Sequence, residues 1–126
     1  MKTIQILFVE DSPMIMEISK RMITNLGYEA DYATSGEEAL AMFENKEYDL
    51  VLTDLGLPNM SGEQLIAKMR KYERRYRIKE SRICAITAYR LKDVRDLCLA
   101  SGVNSVCNKP LQMPMLVQAI QECQNF

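Results

Sequence analysis

"ILFVEDSP" (residues 6–13) decides how this chain is read. Four apolar residues run together, with Ile4 just upstream, the pattern of a short strand buried on both faces. Two carboxylates, Glu10 and Asp11, stand at its end. Like charges side by side repel, and an acid at the end of a buried strand loses solvation. Ser12 and Pro13 then offer a helix N-cap and a proline suited to the first helical position. A strand, an acid pair and a helix start thus follow one another, and the acid pair needs a reason.

Outward from there the same unit recurs. Ile15, Ile18, Met22 and Leu26 fall at helical spacing, and Gly27 is a stop. "YEADYAT" (28–34) alternates weakly and reads as a second strand. "SGEEALAMFEN" (35–45) opens with a capping Ser35 and carries Ala39, Leu40 and Phe43 at helical spacing. "YDLVLTD" (48–54) is a buried strand ending in Asp54, followed by the turn-rich "LGLPNMSG" (55–62). "EQLIAKMRKY" (63–72) reads as a third helix, and "RICAIT" (82–87) as a strand ending at Thr87. "KDVRDLCLASG" (92–102) reads as a fourth helix. "VNSVCN" (103–108) is a last strand, followed by Lys109-Pro110 and a closing helix through about Cys123. Five strand–helix units in strict alternation predict an α/β fold. It is a doubly wound, parallel, five-stranded (βα)5 sheet with right-handed crossovers. No linker, repeat or low-complexity tract interrupts it, so residues 1–126 read as one domain.

Composition narrows the function classes. Sixteen basic and 17 acidic residues leave a net charge of −1, which gives no global push toward nucleic acid or membrane. No stretch is long and apolar enough to span a bilayer, and the N-terminal apolar run is too short for a secretory signal. These features point to a cytoplasmic chain. Cys84, Cys98, Cys107 and Cys123 form no Cys-x-x-Cys pair, and with no histidine there is no zinc site. They read as reduced, mostly buried small hydrophobes. The lack of histidine also removes the commonest general base and any Ser-His or Cys-His nucleophile pair.

In parallel sheets of this kind the functional site lies beyond the carboxyl ends of the strands, near the topological switch point. Glu10 and Asp11 end the first strand, Asp54 the third, Thr87 the fourth, and Lys109 follows the fifth. Each residue alone has an ordinary use: helix N-terminal acids, a turn aspartate, strand filler, a solvated lysine. Ordinary uses would not align all five on one rim. Clustered carboxylates repel unless a cation is present, and hard oxygen ligands suit Mg²⁺. A hydroxyl and a mobile ammonium serve a phosphoryl oxygen. The chemistry indicated is metal-assisted phosphoryl transfer onto a carboxylate.

The set Glu10-Asp11, Asp54, Thr87 and Lys109-Pro110 resembles the receiver domain of bacterial two-component response regulators and phosphorelays. "VEDSP" is similar to its acid pair, "DLGLPNMSG" (54–62) to the loop after its phosphoacceptor, and "KP" to its terminal lysine motif. The resemblance covers essentially the whole chain and implies a flavodoxin-like sheet. By position it implies that Asp54 accepts phosphoryl from the phosphohistidine of a histidine kinase or histidine phosphotransfer protein. Asp11 and Asp54 then bind Mg²⁺ directly, Glu10 through water, and Gly56 through its backbone carbonyl. Thr87 and Lys109 take the phosphoryl oxygens, and Lys109-Pro110 is cis. The domain is a signalling phosphoacceptor with self-catalysed phosphorylation and dephosphorylation, rather than a turnover enzyme. It switches an unspecified output partner, with no direct role for nucleic acid or membrane. The alternative is a constitutive, phosphorylation-independent interaction module on the same fold. A phosphohydrolase would want a second acid two residues after its nucleophile, where this chain has Gly56.

Some positions depart from the family's pattern. Many members carry an aromatic rotor three residues before the lysine, where this chain has Val106. Tyr89, two after Thr87, is expected to cover part of the site instead, and in this family the positions of Gly56 and Tyr89 bear on phosphoaspartate lifetime. The chain ends soon after its last helix, which fits a stand-alone receiver or one cut from a longer protein such as a hybrid sensor kinase.

Two surface features stand out. Residues 68–82, "KMRKYERRYRIKESR", hold eight basic residues against two acids, a local +6. The remainder, eight basic against fifteen acidic, carries −7. That run is either a solvated helix end whose cations suit the dipole or a docking patch for an acidic partner. The first helix is apolar over more than one face. With its core side centred on Ile15, Met22 and Leu26, Met14 and Ile18 are expected to be exposed where a histidine-bearing helical bundle docks.

Overall fold

The computed structural model describes residues 3–88 and 102–124. In chain order these form β1 (Ile6–Val9), α1 (Pro13–Asn25), β2 (Ala30–Ala33), α2 (Gly36–Asn45), β3 (Leu50–Asp54), α3 (Gly62–Tyr76), β4 (Arg82–Thr87), β5 (Ser105–Asn108) and α4 (Met113–Gln124). The helix expected over 92–102 lies, except for Gly102, outside the described residues, as do Tyr89 and Cys98. The five strands make one sheet in the order β2-β1-β3-β4-β5, and every pairing is parallel. The chain leaves β1 toward β2 and later returns to the other side through β3, so the order reverses between β1 and β3. That reversal opens a crevice at the carboxyl ends of the two strands.

The burial of the strands follows their position. β1 and β3 are buried along their whole length, β4 all but its first residue, and the outer β2 and β5 are mostly half-buried. Two cores result, one on each side of the sheet. Leu7, Val9, Val51, Ile83 and Ala85 pack with Phe43 of α2 and Leu65, Ile66 and Met69 of α3. Ile6, Phe8, Leu52, Cys84 and Ile86 pack with Met16 and Ile23 of α1 and Leu116 and Ile120 of α4. Strand residues alternate strictly between the two cores, as the pleat requires.

Helix starts behave as the sequence indicates. The Ser12 and Ser35 hydroxyls accept from the third backbone N–H beyond each, and Ser61 forms a reciprocal capping box with Gln64. Ends and faces differ in three places. First, α3 runs to Tyr76 rather than 72, because Arg70 and Glu73 continue its buried stripe, and Arg77 closes it in a left-handed conformation (φ 53°). Second, the core side of α1 is Met16, Ser19 and Ile23, with Met22 and Leu26 at its flank and Ile15 turned outward. Burying a serine there leaves no orphan donor, since its Oγ donates to the Ile15 carbonyl at 2.8 Å. Met14 and Ile18 are exposed, as expected (72% and 53%).

Third, the basic run is not wholly a solvated face. Arg70 and Glu73 are buried and joined at 2.7 Å. Arg70 also donates to the carbonyls of Gly102 and Ser81 and to the Asn104 side chain, each at 2.8 Å. Arg82 pairs with Glu122 of α4 at 2.6 Å. Lys68, Lys71, Arg74, Arg75 and Arg77 remain at the surface.

Candidate functional site

The switch point sets the side chains. β1 ends at Val9, whose residue-for-residue partner on β3 is Thr53, so Glu10 and Asp54 leave the sheet at the same level. β3 pairs Asp54 with Ile86, and β4 ends one residue later at Thr87, paired with Asn108. Lys109 follows directly, its backbone N–H donating to the Thr87 carbonyl at 2.8 Å. All five sequence-predicted polar residues therefore reach one rim. The Lys109-Pro110 bond is cis, as the resemblance implied.

Glu10 and Asp54 are buried, whereas Asp11 is exposed. One carboxylate oxygen from each of the three lies within 4.8 Å of the others. The Lys109 ammonium sits 3.0 Å from Asp54 Oδ2 and 3.4 Å from Glu10 Oε1. The other Asp54 oxygen, Oδ1, accepts the Gly56 backbone N–H at 3.1 Å. Glu10 Oε2 accepts the Ser12 N–H at 3.0 Å. Burial pushes the Glu10 carboxyl above its ordinary value, and the Asp54 charge and a hydrogen bond with Asp11 add to the rise, against the Ser12 N–H and Lys109. Burial pulls Lys109 down, but its hydrogen bond and charge interactions with Asp54 and Glu10 outweigh that, and the net direction is up. The site is thus an acid cluster short of positive charge, with Lys109 as its cation among the described residues. Carboxylate oxygens alone, converging from two strand ends, fit a hard divalent cation better than a zinc-like ion.

The loop after Asp54 is held closely. Leu55 N–H donates to the Ile86 carbonyl at 3.1 Å, and Gly62 N–H to the Leu55 carbonyl at 3.1 Å. A Cβ on Gly62 would stand 2.6 Å from the Asp54 carbonyl oxygen and 2.6 Å from Leu55 Cα, so only glycine fits at the start of α3. Gly56 is different: it is exposed, and a Cβ there would make ordinary contact with Asp54. Val106 is half-buried against the α2–α3 core.

An apolar groove of about 340 Å³ adjoins the acids. Ile15, Ile18 and Met22 of α1 form one wall, and Ile86, Pro110 and Leu111 the other, with Glu10 and Lys109 at its polar end. The α1 side was legible as an over-wide apolar stripe. The second wall was not, because Pro110 and Leu111 come beside α1 only when β5 lies across the sheet.

A doubly wound parallel sheet with carboxylates and a lysine at its switch point defines a class of domain built for phosphoryl chemistry at the carboxyl rim. Residues 6–121 match the family model for the response regulator receiver domain. The chain belongs to that family and is a phosphoacceptor signalling domain. It is 34% identical over 119 residues to the aerobic respiration control sensor protein ArcB of Escherichia coli K12, covering 94% of this chain but 15% of that protein. The solved receiver domain of sensor histidine kinase PA1611 from Pseudomonas aeruginosa PAO1, with magnesium coordinated in its active-site cleft, is 30% identical with a TM-score of 0.85. The match covers 99% of this chain and 100% of that one. The receiver domain of Saccharomyces cerevisiae Ssk1, solved with the histidine phosphotransfer protein Ypd1, is 26% identical with a TM-score of 0.87. There the match covers 95% of this chain and 88% of that one. Among the described residues no helix is long and apolar enough to cross a membrane.

Proposed function

We propose that Asp54 accepts a phosphoryl group from the phosphohistidine of a histidine kinase or phosphotransfer protein, in a Mg²⁺-dependent reaction. The observation that carries this reading is the closure of Lys109 on Asp54 within a cluster of three carboxylates at the switch point. Asp11 and Asp54 would hold the cation directly, Glu10 through water, and the Gly56 carbonyl would complete the protein ligands. When bound, Mg²⁺ supplies charge neutralisation between the acids and the incoming phosphoryl oxygens.

The chain's own groups do the rest. The Gly56 N–H fixes Asp54 Oδ1, which leaves Oδ2 as the attacking oxygen once Lys109 releases it. Its second contact, to Glu10, keeps the ammonium at the site as it passes to a phosphoryl oxygen. The O–P bond to Asp54 forms as the donor's P–N bond breaks. The Thr87 hydroxyl, buried at the end of β4, donates to another phosphoryl oxygen. Catalysis is positioning plus charge stabilisation, so the domain drives its own phosphorylation and dephosphorylation. The donor's helix lies along the groove between α1 and Pro110-Leu111, with Ile18 in its wall, and reaches the exposed Met14 of the same helix. The output is a shift in partner affinity on the face of β5 and α4 together with the helix expected from the sequence over 92–102.

The test is incubation with acetyl phosphate and Mg²⁺, read by intact mass. The native chain gains one phosphoryl group, Asp54→Asn gains none, and Asp11→Ala is slowed with weakened Mg²⁺ binding. No gain on the native chain with any donor would sink the phosphoacceptor reading. Labelling of Asp54→Asn at the native rate would move the site elsewhere.

A further inference from the structure

Two thiols meet just upstream of the rim. β4 and β5 pair with Cys84 opposite Ser105 and Ile86 opposite Cys107, so the two cysteines are diagonal neighbours on one face of the sheet. Both belong to the core under α1 and α4, and their sulfurs lie 3.4 Å apart. Their accessibility differs: Cys84 is 1% exposed, whereas Cys107 is half-buried on the edge strand. We propose that Cys84 and Cys107 are a redox modification site, joined by hydroperoxides into a reversible disulfide that staples β5 to β4 and slows phosphorylation at the adjoining rim. The regulatory half of this proposal rests on the phosphoacceptor reading above.

The chemistry divides between the two thiols. The two thiols share one hydrogen bond, which lowers the Cys107 thiol, and Cys107 is the more accessible of the two, so it is the sulfur that meets the peroxide. The same bond, together with burial, pushes the Cys84 thiol up. The Cys107 thiolate attacks a peroxide oxygen, the O–O bond breaks, and a sulfenic acid forms with release of hydroxide. The Cys84 sulfur, already in contact, then attacks the sulfenic sulfur. The S–O bond breaks, and the departing hydroxide takes the Cys84 proton as water. Two thiols have lost two electrons and two protons, and hydrogen peroxide has become two waters.

Closing the sulfurs to a bond of about 2.05 Å requires movement. β5 is the element free to move, since it is paired on its β4 side alone. A diagonal bridge of this kind is strained and therefore easily reduced, which makes the mark reversible. It would act at short range. Thr87 stands three residues after Cys84, and Lys109 two after Cys107. The two are already tied by the Lys109 N–H to Thr87 carbonyl bond at 2.8 Å.

The test treats the reduced full chain with a small excess of hydrogen peroxide, blocks remaining thiols, and counts them after denaturation. Titratable thiols fall from the sequence's four to two. Peptide mapping finds Cys84 linked to Cys107, and dithiothreitol restores all four. Acetyl phosphate labelling of the oxidised chain slows by about tenfold, as expected when rim groups are misplaced. Cys107→Ser labels at the native rate with or without peroxide. An unchanged thiol count, a Cys107 sulfinic acid without a crosslink, or a link to Cys98 or Cys123 overturns the proposal. A crosslink with unchanged labelling overturns its regulatory half. A reduced chain that crosslinks on oxidation but never labels sinks the phosphoacceptor reading and leaves the disulfide standing. The thiol count on the native chain needs no variant to fold.

Discussion

Arg70→Met tests how far the buried charge pair on α3 supports this fold. Four donor contacts leave the Arg70 guanidinium: Glu73 at 2.7 Å, and the Gly102 carbonyl, Ser81 carbonyl and Asn104 side chain at 2.8 Å each. Removing it leaves Glu73 as a buried carboxylate whose remaining partner among the described residues is the Ser81 N–H at 2.7 Å. It also deprives two carbonyls of a donor. Breaking a buried pair from one side costs about 3–5 kcal/mol, mostly the desolvation of the charge left behind. Domains of this kind are stable by about 5–15 kcal/mol, so the loss is a large share. With a urea slope of about 2 kcal/mol/M the unfolding midpoint falls by about 2 M. Glu73→Met alone leaves the guanidinium buried without its counter-charge, still bonded to Gly102, Ser81 and Asn104, and is also costly. The double variant should lose less than the sum, with a coupling of about 1–3 kcal/mol. Urea titrations followed by circular dichroism on the four proteins close the cycle. A loss under about 1 kcal/mol for Arg70→Met, or additive single effects, would refute the argument that this pair is a desolvated strut.

Three other outcomes are expected. Hydrogen bonding from the Tyr48 hydroxyl, then from Lys46, holds the Asp31 carboxyl below its ordinary 3.8, against a burial that raises it. A lowered folded value means the contact stabilises above 3.8 and fades as pH falls through the depressed value. Tyr48→Phe should therefore lower Tm in neutral buffer, with a deficit that shrinks at about pH 2, and an equal deficit at both would contradict this. Met14→Asp should slow transfer from a phosphohistidine donor by about tenfold while acetyl phosphate labelling stays unchanged, and equal transfer rates would remove α1 from the docking face. Gly62→Ala drives a Cβ against Asp54 and Leu55 backbone and should cost about 1–3 kcal/mol in urea unfolding, with slower labelling as the Asp54 loop shifts. Native stability in that variant would mean the loop yields freely.

Most of the site was legible because strand ends are local events. An apolar run that stops at an acid marks both the strand and the rim residue, and this happens at Val9–Glu10 and Leu52–Asp54. The face of α1 was harder. Apolarity alone ranks Ile15 above Ser19, yet the serine is buried and the isoleucine is 37% exposed. A hydroxyl that folds back onto its own helix costs little to bury, and the position on the sheet selects which side faces inward. The run over 68–82 misled for a related reason. Its charges look alike in one dimension, but Arg70 finds Glu73, Gly102, Ser81 and Asn104, while Lys71 finds solvent.

By itself the sequence determined the alternation of strands and helices, the parallel class of the sheet, and the identity of the acids, hydroxyl and lysine at its rim. These follow from periodicity and from the residue at each strand end, which neighbours in the chain decide. The tertiary structure alone decided the spatial order β2-β1-β3-β4-β5, the hand-over of Lys109 to Asp54 and Glu10, and the meeting of Cys84 with Cys107. Each joins residues more than twenty positions apart, and such distances close only when the sheet buries both of its faces at once.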